Sequence, residues 1–471
     1  MTPPALLAAA RRRRATRLDD LREWLAIPSV SAEPARAADV ARAARWLASW
    51  QRARGARVQV RPTEKGRDIV LGLWPAPPGA PLIVLYGHYD VQPAGPGWST
   101  APFAPVIRNG VLYARGAGDD KGQLFAHLCA LEAWQQFGVI PVQVLVIAEG
   151  AEEVGSPGFD AALRPLARRF RPRAVVISDT ERDAGGAPTI TVSQRGHLVA
   201  RLEVDVGGSD VHPGRLGGAV VDPGLVLAEA LLLLRDELIP ALGSGPVDTA
   251  GEQPRLRTDA VVARIANGRA TTGAGLDERI TRYGALSVTR LAAGGRGGAV
   301  PARSAAWIDI RLPARVDPAD VVLRARRLLD GLAPPGTMVS LRAGSGTAGL
   351  EAMPDAAIQR AAKEACMIGF GRPPVYVRSG GTVPAAGMMA RAFGLHPLLL
   401  GFGTPGGHAH GPDEAMDLPG WSAAIDTSVA LIGALGGPVR TNFGRAQSGL
   451  RARIQPVPTG ASLARTDGED R

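Results

Sequence analysis

The chain has few cysteines. Its 471 residues include only 2, Cys129 and Cys366, which lie far apart and have no CxxC partner. This spacing argues against a disulfide framework and against a thiolate zinc site, because both need clustered cysteines. Unpaired cysteines of this kind are typical of a reducing compartment, so we predict a cytoplasmic protein.

Long apolar runs and a leader-like pattern are also missing. The run Leu225–Leu234 is too short to span a bilayer and contains Glu229, so it predicts a buried helix. Ala5–Ala10 precedes Arg11–Arg14, which reverses the order of a signal peptide. We therefore expect no membrane partner, and we interpret the arginine run as a solvated helix end.

Lysine is nearly absent, although the chain is basic. The formal net charge is +10 and the isoelectric point is about 10.4, yet Lys65, Lys121 and Lys363 are the only lysines. A nucleic-acid-binding protein would cluster its basic residues on one face and would associate with DNA or RNA in a salt-dependent way. Here the arginines are scattered, apart from Arg11–Arg14 and a few near the C-terminus. The positive net charge is therefore better explained by a bias in composition, and we predict no nucleic-acid partner.

The first 192 residues alternate between apolar runs and helical patterns. Because 471 residues exceed one compact core, we expect more than one domain. Buried strands that alternate with helices predict an α/β layer with a mixed, largely parallel sheet. The apolar runs are Ile69–Leu73, Leu82–Tyr86, Val142–Ala148 and Ala174–Ser178, and the helical patterns are Leu18–Trp50 and Gln123–Phe137.

Near residue 193 the pattern changes to strand, helix, strand, strand, helix, strand. That order is the split βαβ plan of a small two-layer α+β domain, so we predict an α/β domain interrupted by an insertion. The helical pattern Asp355–Ile368 and the apolar run Leu398–Gly401 then return to the alternating pattern of the first 192 residues. The predicted divisions are 1–192 and 346–436 for the α/β domain, 193–345 for the inserted domain with a polar insertion at 240–283, and 437–471 for a disordered tail.

Histidines and acidic residues follow the ends of the predicted strands. Open α/β sheets bind ligands at the carboxyl ends of their strands, and buried carboxylates are costly unless cations pair them. Taken singly, each residue has a structural alternative, such as a buried histidine beside an aspartate or a helix cap. Together they favour a site for divalent metal ions with imidazole and carboxylate ligands. The residues are His88, Asp90, Asp119, Asp120, Glu149, Glu152, Glu153, Asp179, His408, His410, Asp413 and Glu414.

Six ordered segments carry a family resemblance. The segments GHYDVQP, ARGAGDDKG, AEGAEEVGSPG, VISD, SDVHPGRLGG and HGPDE resemble the metallopeptidase family of carnosine dipeptidase, aminoacylase, succinyl-diaminopimelate desuccinylase and glutamate carboxypeptidase. The first two segments look closest to the dipeptidase branch, and the resemblance extends from about Leu18 to Leu435. It implies a dinuclear metal hydrolase in which 1–192 and 346–436 form the catalytic domain. The inserted lid or dimerisation domain, 193–345, would pair with its copy to form a homodimer.

The resemblance implies two divalent metal ions that share one carboxylate. Zinc suits a mixed set of imidazole and carboxylate ligands, with Mn²⁺ and Co²⁺ as alternatives. The implied ligands are His88 and Asp179 for one ion, Glu153 and His410 for the other, and Asp119 for both. The peptide bond after Asp119 is expected to be cis.

His408 and Asp90 are two further residues that lie close to implied ligands in the sequence. His410 heads the HGPDE match and is preferred as the ligand, with His408 as the open alternative. Asp90 would orient the ring of His88 through its second nitrogen, because residues i and i+2 of an extended chain share a face.

The resemblance also assigns catalytic and substrate-binding roles. Glu152 would be the general base that takes a proton from the attacking water and passes it to the leaving amine. His212 would steady the developing oxyanion, often in the partner subunit's site. Arg311 would bind the substrate carboxylate with its guanidinium fork, and Thr382 would line the same pocket. From the residues alone, His212 could equally be a turn residue and Arg311 a surface charge on a strand.

Two departures from the dipeptidase pattern fall in the implied substrate pocket. The chain has Arg378-Ser379-Gly380-Gly381-Thr382 where such dipeptidases read REGGS, and Gly298 where they carry a polar side chain. Neither change touches an implied metal ligand. We therefore predict a dinuclear hydrolase of dipeptides or small peptides with a free carboxylate. An N-acyl or N-carbamoyl amino acid amidohydrolase remains the alternative.

Overall fold

The computed structural model describes residues 2–63, 67–245 and 275–436. The predicted tail, 437–471, and most of the predicted insertion at 240–283 lie outside the described residues. The strands are β1 (Arg57–Arg61), β2 (Ile69–Trp74), β3 (Leu82–His88), β4 (Val106–Arg108), β5 (Val111–Tyr113), β6 (Gln143–Glu149), β7 (Ala174–Ile177), β8 (Thr189–Gln194), β9 (Gly196–Asp205), β10 (Ala285–Ala292), β11 (Arg303–Leu312), β12 (Met338–Thr347), β13 (Leu350–Glu351), β14 (Val375–Ser379), β15 (Leu398–Gly401) and β16 (Ala415–Asp417).

Helices separate most of these strands. A 3₁₀ turn at Glu152–Val154 follows β6, and a π-helical turn at Leu234–Leu238 extends α7. The α-helices are α1 (Pro4–Arg12), α2 (Arg14–Leu25), α3 (Ala37–Arg52), α4 (Lys121–Phe137), α5 (Phe159–Arg169), α6 (Pro213–Leu216), α7 (Pro223–Leu233), α8 (Ile239–Ala241), α9 (Leu276–Thr281), α10 (Pro318–Leu329), α11 (Ala356–Phe370), α12 (Pro384–Phe393) and α13 (Leu418–Leu435).

Nine strands form one mixed sheet with a parallel centre. Its order is β1-β2-β6-β3-β7-β15-β8-β13, and β14 pairs with β8. The pairs β6/β3, β3/β7 and β7/β15 are parallel, whereas β1, β2 and β13 pair in antiparallel fashion. Strand β3 is buried along almost its whole length, as expected for a strand covered on both faces. The predicted α/β fold with a mixed, largely parallel sheet is confirmed.

Helices cover both faces of this sheet because its strands are apolar on both sides. Ile83 and Leu85 face one core, which the helices α3, α4, α11 and α13 complete. Val84 and Tyr86 face the opposite core, with side chains from α5 and α12. Successive residues of β3 thus enter different cores, as the two-residue repeat of a strand requires.

Helix α13 is the one described helix that is long and apolar enough to cross a membrane. About two-thirds of it (67%) is buried inside the protein. It packs against α4 and α11, and its Ile425 and Leu431 are almost fully buried. Its apolar composition is therefore accounted for by the core, as for a buried helix of a globular fold.

A second, four-stranded sheet contains the predicted β-α-β-β-α-β unit. Its order is β10-β11-β9-β12, with every neighbouring pair antiparallel. Helices α7 and α10 pack on one face, where Leu202, Ile308 and Val321 are fully buried. The split βαβ arrangement is present, while the domain boundaries drawn at 193 and 345 stay a prediction.

Arg195 lies where the chain passes from the first sheet to the second. It separates β8 from β9, and its side chain donates hydrogen bonds to the backbone carbonyls of Gly380, Arg279 and Tyr283. Gly380 follows β14 of the first sheet, whereas the other two carbonyls belong to the segment that leads into β10. One buried guanidinium therefore ties together the segments on either side of the crossing.

The N-terminal arginine run lies at the end of α1, where Arg11, Arg12 and Arg13 are exposed as expected, but it also makes ion pairs that the sequence did not predict. Arg11 and Arg14 form ion pairs with Asp426 of α13, at 2.9 Å and 2.7 Å. Helix α1 packs against α4 and α13, and the Asp426 side chain is only 4% exposed. The arginines compensate a buried carboxylate that would otherwise be unpaired.

Candidate metal centre

Three adjacent parallel strands end at the same edge of the large sheet. His88 is the last residue of β3, Glu152 and Glu153 form the 3₁₀ turn after β6, and Asp179 follows β7. Asp119 comes from the loop that opens α4. The fold thus gathers these side chains at the carboxyl end of the sheet, the usual ligand position in α/β folds.

His88, Asp119 and Asp179 form one group that could hold a metal ion. His88 Nε2 lies 3.0 Å from Asp119 Oδ1 and 3.7 Å from Asp179 Oδ1. The side chain of His88 is fully buried and that of Asp179 is 8% exposed. We call this group the inner half-site.

Asp119, Glu153 and His410 form a second group, which we call the outer half-site. His410 Nε2 lies 3.0 Å from Asp119 Oδ2 and 3.3 Å from Glu153 Oε2. Asp119 therefore faces one half-site with each of its carboxylate oxygens. His410 is 58% exposed, in contrast to His88. His408 belongs to neither group among the described residues, and its Nδ1 lies 3.3 Å from the carbonyl oxygen of Pro412.

The pKa values of the clustered side chains indicate that added positive charge would stabilise the cluster. Burial raises the pKa of Asp179 to about 7 and holds that of Glu152 well above its usual range. Burial also opposes ionisation of Asp119, but hydrogen bonds from His410 and His88 outweigh it and lower the pKa of Asp119. Hydrogen bonds to Asp119 and Glu153 raise the pKa of His410 to about 10. Two divalent cations would neutralise these carboxylates, so the donor set fits metal ions.

Asp90 supports the centre through two different groups. Its backbone carbonyl lies 3.0 Å from His88 Nδ1, whereas its carboxylate is 3.5 Å from that nitrogen. A proton on Nδ1 directed at this carbonyl leaves Nε2 free to bind a metal. The Asp90 carboxylate instead accepts hydrogen bonds from Ser31 Oγ and from the backbone N–H groups of Glu152 and Glu153. It therefore fixes the turn that contains Glu152.

A hydrogen bond and close packing hold the loop that carries Asp119 in place. The Asp119–Asp120 peptide bond is cis, as expected. Asp120 Oδ2 accepts the backbone N–H of His88 at 3.2 Å. At the start of α4, a Cβ on Gly122 would overlap the carbonyl oxygen of Ala117, so only glycine fits there.

Two residues to which the sequence assigned no role support this centre. Gln92 Nε2 donates a hydrogen bond to Glu153 Oε2 at 2.8 Å. Glu414 is fully buried beneath the Asp119 loop and accepts hydrogen bonds from that loop. Their positions inside the GHYDVQP and HGPDE segments were the available signal, but no strand or helix pattern indicates which way these side chains point.

An open cavity of about 90 Å³ adjoins Asp119 and Asp179. Thr180, Glu181 and Thr404 contribute to its lining. The cavity gives a small substrate access to the carboxylate that the two half-sites share.

The residues predicted to contact substrate lie outside the two half-sites. His212 is exposed, and its Nδ1 accepts the backbone N–H of Gly214 in its own loop. Arg311 on β11 pairs with Asp309 at 2.9 Å, and Thr382 donates its hydroxyl to the backbone carbonyl of Arg195. Thr382 and Arg195 are thus joined where the two sheets meet.

Comparisons with known proteins agree with this geometry. A family model described as peptidase family M20/M25/M40 matches residues 84–434. The chain is 28% identical over 437 residues to Cys-Gly metallodipeptidase dug1 of Schizosaccharomyces pombe, covering 85% of this chain and 91% of that protein. It is 27% identical over 435 residues to Beta-Ala-His dipeptidase of Homo sapiens, covering 84% and 85%. The structure of the dipeptidase Dug1p from Saccharomyces cerevisiae has the same fold, with a TM-score of 0.77, 23% identity and coverage of 92% and 98%.

Proposed function

The chain belongs to peptidase family M20/M25/M40, and from that premise we propose that it is a dinuclear metal-dependent dipeptidase. It would hydrolyse the amide bond of dipeptides or small peptides that carry a free carboxylate. The observation that carries this proposal is the pair of ligand groups joined through Asp119, with the half-buried Glu152 beside them and in neither group. The two dipeptidases to which the chain is similar support the substrate class.

His88, Asp119 and Asp179 would hold the inner ion, and Asp119, Glu153 and His410 the outer one. Two ions at such a site polarise the scissile carbonyl and lower the pKa of the attacking water. We propose zinc for both, because borderline-soft zinc accepts imidazole and carboxylate ligands together. Mn²⁺ and Co²⁺ would accept the same donors.

Glu152 would move the proton during hydrolysis. Its carboxylate removes a proton from the attacking water as the new C–O bond forms. The same proton is then delivered to the amine nitrogen as the C–N bond breaks. Burial raises the pKa of Glu152, so its side chain can hold that proton between the two steps. The Asp90 carboxylate would position Glu152 through the backbone N–H of the turn.

Arg311 would bind the substrate carboxylate. Its side chain is about one-third exposed and projects from the face of β11 opposite the buried Ile310. A guanidinium can donate two parallel hydrogen bonds to a carboxylate, which would fix the C-terminal end of the substrate. Thr382 would lie on the same side of the substrate, near the crossing between the sheets.

His212 would complete the active site of a partner subunit. Strand β10 is an edge strand of the second sheet, and Leu291 on it is 58% exposed. On α7, Leu225 and Leu232 are 66% and 48% exposed. Strand β10 has no second neighbouring strand among the described residues. An open strand edge together with exposed apolar side chains favours association, so we propose a homodimer formed through the inserted domain.

A complementation experiment tests that arrangement. Mixing Glu152→Gln chains with His212→Ala chains should restore activity, since a heterodimer would contain one site with both residues intact. Each variant alone should be nearly inactive. A wild-type chain that is monomeric by light scattering and fully active would contradict the homodimer.

For the cellular setting we propose the cytoplasm. Cys129 and Cys366 are both free and buried, in keeping with a cytoplasmic protein. We propose that the chain binds neither nucleic acid nor membrane. Retained binding to DNA or RNA at physiological salt would contradict this.

The substrate class is tested by matched panels of dipeptides and N-acyl amino acids. We expect the metal-replete protein to release free amino acids from dipeptides. A second candidate, an N-acyl or N-carbamoyl amino acid amidohydrolase, is favoured by Ser379 and Gly298, the two pocket departures. Ser379 Oγ accepts the backbone N–H of Gly381 at 3.0 Å, so its hydroxyl serves a local turn. Turnover restricted to N-acyl substrates would replace the dipeptidase with this second candidate.

A further inference from the structure

Glu414 is a buried carboxylate that the proposed mechanism does not use. Its side chain is fully buried, and it lies four residues after His410 in the same loop. Every hydrogen bond described for its carboxylate comes from the segment Arg115–Asp119, which leads to the carboxylate shared by both half-sites.

Both carboxylate oxygens of Glu414 bind N–H groups of that segment. Oε1 accepts the backbone N–H groups of Gly118 and Asp119 at 2.8 Å and 3.0 Å. Oε2 accepts Arg115 Nη1 at 2.7 Å and the backbone N–H of Gly116 at 3.1 Å. Four donors converge on one carboxylate, so its position and that of the Asp119 backbone are fixed relative to each other.

These contacts join the segments that carry two ligands of the outer half-site. One segment carries Asp119, and the other carries His410, which is more than half exposed and lies in a loop. His88 and Asp179, by contrast, lie at the ends of buried parallel strands. The fold itself fixes His88 and Asp179, whereas the positions of Asp119 and His410 depend on how these two loops are held together.

We infer that Glu414 is a positioning residue that locks the His410 loop to the Asp119 loop and thereby sets the affinity of the outer metal ion. This inference rests on the proposed dinuclear centre. Glu414 touches neither the ions nor the substrate in this arrangement, and it acts through the backbone of Asp119.

The test is a metal titration of the metal-free Glu414→Gln protein with Zn²⁺ in competition with a chelating indicator. The amide places an NH₂ group where one oxygen now accepts N–H groups, so at least one donor loses its partner. We expect the affinity for the outer ion to fall by roughly 10- to 100-fold, the usual effect of losing a group that orients a metal ligand. The affinity for the inner ion should change less. In a His410→Ala background, Glu414→Gln should have little further effect.

Glu132→Gln is the matched control. Glu132 is also a buried glutamate held by arginines, with Arg17 at 2.8 Å and Arg54 at 3.0 Å, but it lies on α4 within the helical layer. Its variant should lower the melting temperature and leave both metal affinities unchanged. Glu414→Asp, which keeps the charge but has a shorter reach, serves if the amide variant does not fold. It should weaken the same ion.

Three outcomes separate the inference from the proposed function. Wild-type affinity for both ions in a folded Glu414 variant would overturn the inference. So would an inner ion weakened as much as the outer one. Two ions in the wild-type protein without hydrolysis of any dipeptide would overturn the proposed substrate class and leave the role of Glu414 standing.

Discussion

The inner and outer half-sites share Asp119 but are built from different kinds of segment. The inner one uses His88 and Asp179, which are buried where neighbouring strands of the central sheet end. The outer one uses Glu153 on a 3₁₀ turn and His410 on a loop, where the imidazole is 58% exposed. The sheet therefore positions the side chains of the inner half-site, whereas hydrogen bonds between loops position those of the outer one.

The difference explains where the supporting residues lie. On the inner side, the Asp90 carbonyl and the burial of the strand ends hold His88. On the outer side, Gln92 binds the Glu153 carboxylate, the Asp90 carboxylate binds the turn, and Glu414 binds the loop of Asp119. A ligand on a loop needs such support, because loops are less constrained than strand ends.

The largest effect is expected from Glu152, which lies beside the outer ligand Glu153 but should bind neither ion. Glu152→Gln should lower kcat by roughly 10² to 10⁴, the usual contribution of a positioned acid–base group. Both ions should remain bound. Steady-state kinetics with metal analysis by mass spectrometry would check this. Near wild-type turnover in a fully metallated variant would refute the assignment of the base.

Substitution of the two histidines predicted to bind metal, His88 and His410, tests the difference between the half-sites directly. His88→Ala should remove the inner ion and lower the free energy of unfolding by roughly 2 kcal/mol or more, because a buried, hydrogen-bonded side chain is lost. His410→Ala should remove the outer ion and lower the free energy of unfolding by less than His88→Ala does, because the His410 side chain is 58% exposed and its ion pairs are partly screened.

Calorimetry with chelator present separates stability from metal binding in this pair. Equal losses of stability in the two histidine variants would mean that the half-sites do not differ in the way described.

A smaller effect is expected from Gln92, which contacts only the outer half-site. Gln92→Ala should weaken the outer ion by about 10-fold, since the Glu153 carboxylate loses the donor that orients it. The inner ion should keep its affinity. Gln136→Ala is a suitable control, because Gln136 donates to Glu132 on α4, within the helical layer. Loss of the inner ion from the Gln92 variant would break the comparison.

The sequence predicted those parts of the fold where one pattern dominates. Strands β3, β6 and β7 are continuous apolar runs, so their ends and the residues that follow them could be placed. Strand β11 alternates, and Ile308, Ile310 and Leu312 are buried on one face as expected. Short strands such as β4 and β13 escaped prediction, because two or three residues are too few to show a repeat.

Contacts between segments that are far apart in the sequence could not be predicted either. Arg11 pairs with Asp426 across 415 residues, and Arg115 pairs with Glu414 across 299. No local pattern indicates such a partner, so the arginine run was interpreted as solvated and Glu414 was left without a role. Both pairs satisfy buried charges, and burial becomes known only once the helices and loops are packed.

The most direct test of the central claim is to restore Zn²⁺ stepwise to the metal-free wild-type protein while measuring release of amino acids from a dipeptide. We predict no turnover without metal and full activity once two ions are bound per chain. Dipeptide hydrolysis by the metal-free protein would contradict the account, and so would a protein with two bound ions that hydrolyses no dipeptide.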